Sequence, residues 1–178
     1  MNPVFSTRRL IVRRWVIDDA ASAFRLYGDA RVWAYIGGGS GHSSIDVSRE
    51  WLQRVIDGDA AESGLGCWAI IDRASNRVIG AALLVPFPGT DEIEIGYHLA
   101  HDAWGHGFAT EVAIGLVRYG FVVLGLARII AVASPDNLAS RRVLEQAGLT
   151  GQGTRNYHGT EKVLYIVDAD QPSPVMPD

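Results

Sequence analysis

Trp104-Gly105-His106-Gly107-Phe108-Ala109-Thr110-Glu111 decides how this chain is read, because its glycines stand directly between an extended stretch and a long helical pattern. Glycine lets the backbone turn tightly and brings bare N–H groups toward a ligand, while a helix N-terminus adds about half a positive charge. The combination makes a cradle for a pyrophosphate. A strand-to-helix turn that merely needs positive φ would carry the same glycines. Two familiar phosphate motifs fail here. A Walker loop ends in Gly-Lys-Ser/Thr and this segment has no lysine. A dinucleotide fingerprint wants Gly or Ala at Thr110 and an acid at the tip of the next strand, where the nearest one, Asp136, comes too late.

Working outward, Ala109, Val112, Ala113, Leu116, Val117, Gly120, Phe121 and Leu124 trace one stripe at period 3.6, a long helix with one buried face. Upstream, residues 67–72, 78–85 and 92–99 are extended and joined by short turn-rich links, which predicts an antiparallel meander. Downstream, residues 127–133 form an apolar strand. Pro135-Asp136-Asn137 opens a helix that stops at Gly148, and strands near 153–157 and 162–168 close the domain. At the front, residues 9–15 read as a first strand, a helix starts at Asp18, and another follows the glycine-rich run 37–44. The order βααβββαβαββ predicts one mixed α/β domain over residues 1–169, with 170–178 a disordered tail.

The composition agrees with a globular chain of one domain: 178 residues, 48% hydrophobic, 20% charged, net charge −4. That charge counts against a nucleic-acid partner. A single cysteine, Cys67, permits no intrachain disulfide, and the five histidines show no zinc-ligand spacing, so no metal is expected. The N-terminal apolar run is broken by arginines and reads as neither signal peptide nor membrane span. These features predict a cytoplasmic protein with no membrane partner.

Glu94-Ile95-Gly96-Tyr97, the segment 104–111, and Asn137-Leu138-Ala139-Ser140-Arg141-Arg142-Val143-Leu144-Glu145-Gln146-Ala147-Gly148-Leu149 together resemble the characteristic blocks of the GNAT N-acetyltransferase superfamily. They are most similar to its Rim-type branch, which includes ribosomal-protein N-terminal acetyltransferases; Thr7-Arg8-Arg9-Leu10-Ile11-Val12-Arg13 resembles that branch's first strand. The likeness runs in order through nearly the whole chain. It implies a central, mostly antiparallel, twisted sheet of about seven strands, with helices on both faces, splayed between strands 92–99 and 127–133. It also implies acetyl-CoA in that gap: the amides of Trp104, Gly105, His106, Gly107, Phe108, Ala109 and Thr110 on its pyrophosphate, the backbone of Tyr97, His98 and Leu99 along its pantetheine, and Asn137 as a further contact. Where many members carry a tyrosine acid, this chain has Leu144.

Attack of an amine on a thioester needs a neutral amine, donors for the carbonyl oxygen and a proton for the leaving thiolate. Strand alternation puts Glu92 and Glu94 on one face, and Glu94, nearer Gly96, is the candidate base; a solvated strand face would look alike. With Leu144 unable to donate, Ser140, which matches a Rim-type serine, is the candidate acid, against a plain hydrogen-bonding role at the helix start. A backbone N–H near His98 or Leu99 would hold the oxyanion. An α-amine, with a pKa of ~8 against ~10.4 for lysine, asks less of a base.

Trp33, Tyr35, Trp51 and Trp68 are candidates for an acceptor pocket or for core, and the segment 37–44 for an acceptor lid. Cys67 as an acylated nucleophile is disfavoured, since no adjacent base is evident. The expected function is acetyl transfer from acetyl-CoA to a primary amine in a ternary complex, with a homodimer allowed. The alternatives are a CoA-binding sensor or interaction module without turnover, suggested by Leu144, and a nucleotide-dependent oxidoreductase resting on the glycines alone.

Overall fold

The computed structural model describes residues 2–36, 41–58, 63–157 and 159–170. They form an eight-stranded sheet in the order β1-β2-β3-β4-β5-β6-β8-β7. The strands are β1 (Phe5–Ser6), β2 (Leu10–Arg13), β3 (Gly66–Asp72), β4 (Arg77–Pro86), β5 (Ile93–Leu99), β6 (Arg128–Ala133), β7 (Thr150–Tyr157) and β8 (Thr160–Asp168). The helices are α1 (Ala20–Tyr27), α2 (Ala30–Ile36), α3 (Ile45–Gly58), α4 (Phe108–Arg118) and α5 (Leu138–Gln146). The meander β3-β4-β5 is antiparallel as expected, and every other pairing is too except β5 with β6.

The sheet has one strand more than about seven. Phe5–Ser6 pairs with β2 through Phe5↔Val12 and Ser6↔Ile11, too short a stretch to show alternation in sequence. A helix also stands where none was expected. The Asp29 carboxylate accepts the Arg31 N–H at 2.9 Å, as an N-cap does, and starts α2. The stripe running to Leu124 is not one α-helix either: α4 stops at Arg118 and Tyr119–Val123 continues as a π-turn, where Leu124 N–H reaches back to Tyr119 O.

Alternation along the strands divides the core into two faces. On β3, Trp68 and Ile70 pack with α4 residues Val112, Ala113, Leu116 and Val117, while Ala69 and Ile71 pack with α1 and α3 through Ala23, Leu26 and Leu52. Each large apolar side chain fully removed from water contributes about 1.5–3 kcal/mol, so α4 is held chiefly by this stripe. On β5, Ile93, Ile95, Tyr97 and Leu99 join the α4 face. Glu94, Gly96 and His98 therefore point to the other. A third cluster on that other face joins Phe87 to Ile130 and Leu164.

Residues 37–40 of the expected lid, and 171–178 of the expected tail, lie outside the described residues. The end of the glycine-rich run is tied down. His42 N–H donates to Tyr27 O at 2.9 Å, its Nδ1 lies 2.8 Å from Ser48 Oγ, and its ring rests on Tyr27 and Trp51.

At Gly80 a Cβ would run into the His98 carbonyl oxygen and Leu99 of the neighbouring strand. Gly80→Ala is expected to destabilise the fold by about 1–3 kcal/mol, read as a lower urea midpoint with unchanged m value.

Candidate active site

β5 and β6 touch at one bridge, Glu94↔Ile130, and then part. The gap opens into a cleft of about 840 Å³. Its wall includes Glu94, Tyr97, His98, Leu99, Trp104, Gly105, Gly107, Phe108, Ala109, Thr110, Asn137 and Ser140, so candidate residues scattered over 47 positions of sequence meet in one place. His106 is the exception: its carbonyl accepts the Arg9 guanidinium at 2.9 Å and its ring lies beside Phe108.

The glycine loop has the geometry that a phosphate cradle requires. Gly105 and Gly107 have φ of 78° and 75°, and Gly107 is the N-cap of α4. The N–H groups of a helix's first turn lack intrahelical partners, and here the first bond is Glu111 N–H to Gly107 O. Glu111 braces the loop from below. Its carboxylate accepts the Thr7 hydroxyl at 2.5 Å, the Arg9 N–H at 2.7 Å and the Arg9 Nε at 2.6 Å. Burial opposes its charge, but these donors outweigh that and hold its carboxyl below the usual range. Arg9, its guanidinium also over the Phe108 ring, was not singled out in sequence. The N-terminal motif containing it was the available signal.

On the α4 face, Tyr97 reaches under α5. Its hydroxyl lies 3.0 Å from Ser140 Oγ and 3.2 Å from Ser140 O, while Ser140 N–H donates to Asn137 Oδ1 at 3.0 Å, capping α5. Two hydroxyls hold two protons. If Tyr97 donates to Ser140 Oγ, the serine proton is free for the cleft; if Tyr97 donates to the carbonyl, the serine proton goes to Tyr97. Burial keeps Tyr97 firmly protonated. Leu144 is 1% exposed among apolar neighbours and offers no proton.

On the opposite face the half-buried Glu94 carboxylate is pushed up to about 7 by burial, against the opposing influence of the nearby Val132 backbone N–H and the charge of Lys162. Glu92 does not line the cleft. His98 is pushed down to about 4 by burial, and its Nδ1 lies 3.2 Å from the Tyr27 hydroxyl. It is neutral near pH 7.

The aromatic candidates separate. Tyr35 lines the cleft and is 46% exposed, whereas Trp68 is core and Trp51 packs on Trp15 and Tyr27. Trp33 donates its indole N–H to Tyr27 O. Cys67 is half-buried on β3 and does not line the cleft. Among the described residues no His, Cys, Asp and Glu cluster could hold a metal, and no helix is long and apolar enough to cross a membrane.

A splayed sheet with an amide cradle at the head of the following helix is the frame of an acyl-CoA-dependent acyltransferase. Residues 9–150 match the acetyltransferase (GNAT) domain model, and the chain belongs to the GNAT family of acetyl-CoA-dependent acetyltransferases. It is 33% identical over 157 residues to the uncharacterized N-acetyltransferase YoaA of Bacillus subtilis, covering 86% of each chain. Its fold is shared with a GNAT-family acetyltransferase from Bacillus anthracis, at TM-score 0.80 and 23% identity over 93% of this chain and 98% of that one. It is shared also with the RimL ribosomal L7/L12 alpha-N-protein acetyltransferase in complex with coenzyme A, at TM-score 0.78 and 18% identity over 94% and 98%.

Because Glu94 is pushed above its ordinary 4.5, the folded protein keeps a proton there that the unfolded chain has lost. Its contribution to stability is full below pH 4.5 and is lost as pH rises through about 7. Glu94→Gln is therefore expected to raise Tm relative to wild type at pH 8 and to leave it nearly level at pH 4.5, checked by thermal melts at both values.

Proposed function

We propose that the protein transfers the acetyl group of acetyl-CoA to a primary amine, a protein N-terminal α-amine or a small-molecule amine, by direct attack in a ternary complex. One observation carries this reading: a single cleft joins the Tyr97 and Ser140 hydroxyls on one face of the sheet to the Glu94 carboxylate on the other, through the gap where β5 and β6 part.

The residues present suit the cofactor, since the two left-handed glycines turn the first amides of α4 outward and the gap leaves β5 backbone open to pairing. When bound, acetyl-CoA supplies an activated acetyl thioester. In this reading the amides of residues 104–110 hold its pyrophosphate, the backbone of Tyr97, His98 and Leu99 aligns its pantetheine, and Asn137 contacts it from the head of α5. Glu94 takes the proton of the attacking amine, a role suited to a carboxylate whose pKa is near neutral. Ser140, replenished by Tyr97, returns a proton to the leaving thiolate. A backbone N–H near His98 or Leu99 stabilises charge on the carbonyl oxygen.

The fold shared with RimL and the resemblance of the three sequence blocks support a Rim-type reading with an N-terminal amine as acceptor. Buried Leu144 favours a second reading, a CoA-binding module without turnover. Thiol release measured over peptides, polyamines and aminoglycosides separates the two: turnover with any acceptor removes the second, and absence of acetyl-CoA binding by calorimetry removes both.

Within the enzyme reading the roles divide by parameter. Gly107→Val forces a β-branched residue into left-handed geometry and is expected to weaken acetyl-CoA binding at least tenfold, seen by calorimetry. Glu94→Gln and Ser140→Ala are each expected to lower kcat by about 10²-fold, the lower end of the range for general acid–base groups, with cofactor affinity nearly unchanged.

A further inference from the structure

Lys162 is the one lysine in the chain, and it lines the cleft. It lies on β8, two residues before Leu164 of the third cluster, so it projects from the face opposite α4. That is the face of Glu94. Its half-buried ammonium donates to Ser134 Oγ at 2.7 Å, just past the end of β6, and its charge reaches Glu94 across the split. An ammonium has three protons, so two remain for a ligand.

Beyond Glu94, on the side of β5 away from Lys162, the cleft wall is apolar. Leu83 and Val85 line it from β4, where Leu83 stands opposite Gly96 and Val85 opposite Glu94, and Val32 and Ile36 line it from α2. Gly96, having no side chain, leaves bare backbone between Glu94 and His98. A carboxylate and a cation lining one cleft, the cation bonded to Ser134, leave room for a ligand carrying both charges in the opposite sense. A second ammonium on a ligand would meet Lys162 in a partly desolvated slot, where like charges repel strongly.

We propose that the acceptor is an apolar amine that also carries a carboxylate, of the α-amino-acid type, with Lys162 holding the carboxylate while the amine faces Glu94. This rests on the acetyltransferase reading and narrows its acceptor to the small-molecule amine, setting aside a protein N-terminus, whose first residue has no free α-carboxylate. Lys162 is thus a specificity-determining residue, and no step of the transfer passes through it.

The test compares L-leucine with L-leucinamide, and L-phenylalanine with its amide, as acceptors at pH 8, following thiol release and the acetylated product by mass spectrometry. The amide's less basic amine is more often neutral at this pH, so intrinsic reactivity favours the amides, and a preference for the acids has to come from the site. The expected result is an acid-over-amide ratio in kcat/KM of at least tenfold, expressed in KM. Lys162→Met brings that ratio to about one, and Lys162→Arg retains a preference for the acids. Equal or better use of the amides by the wild type overturns the proposal, as does a ratio that survives in Lys162→Met. The wild-type comparison alone decides the matter if Lys162→Met does not fold. Acetylation of other amines but of neither amino acid overturns this inference and leaves the acetyltransferase reading standing. Failure of acetyl-CoA to bind, seen by calorimetry, overturns both.

Discussion

The single backbone bridge between β5 and β6 is the constraint on which the site depends. Elsewhere neighbouring strands pair along most of their length, interrupted only by irregularities on β3 and β7. Here two parallel strands meet at Glu94↔Ile130 and then separate, leaving backbone donors and acceptors that a close-packed interior does not tolerate unpaired. The fold meets part of that demand electrostatically: the Glu94 carboxylate lies near the Val132 N–H across the gap. The remainder faces the cleft, and an extended ligand with amide groups can pair with it. The same carboxylate, in the proposed reading the base for the amine, sits at the apex of the gap, and its burial there is what raises its proton affinity.

Because side chains alternate, the gap connects two chemically different faces. On the α4 face lie the left-handed glycines, the first turn of α4 and the Tyr97–Ser140–Asn137 chain of hydrogen bonds. On the other lie Glu94, His98, Lys162 and an apolar wall from β4 and α2. Negative net charge and an anion site are compatible under this arrangement. In the proposed reading the cradle works through oriented amides and a helix dipole, which a count of charged side chains does not register. Its cations are either committed, as Arg9 is to Glu111 and His106, or on the far face, as Lys162 is.

Elements with a strong local period were legible in sequence. The α4 stripe, the β3-β4-β5 meander, the Asn137 cap and the Gly148 stop appear where pattern and cap residues place them. Two-residue β1, seven-residue α2 and the π-turn after Arg118 did not show, for one reason: each is too short to build a period, and tertiary packing decides it. The lining of the cleft was legible as a set of residues, since the glycine loop, the strand before it and the head of α5 each carry their own sequence mark. Its pairings were not. Arg9 and Glu111 are separated by 102 positions, and Tyr97 and Ser140 by 43.

What the sequence by itself determined is the family and the local frame: strand, glycine turn and helix in that order, with Glu94 on one strand face and Tyr97 on the other. The family follows from the resemblance of the sequence blocks, and the frame from backbone geometry, which is local. Only the tertiary structure decided which polar groups become partners and how much water they lose. That choice makes Glu94 rather than Glu92 the carboxylate of the cleft, neutralises His98 beside Tyr27, and brings the chain's one lysine, otherwise an unremarked strand residue, into the cleft within electrostatic reach of Glu94. Desolvation and long-range pairing are properties of the packed whole, and no window of sequence contains them.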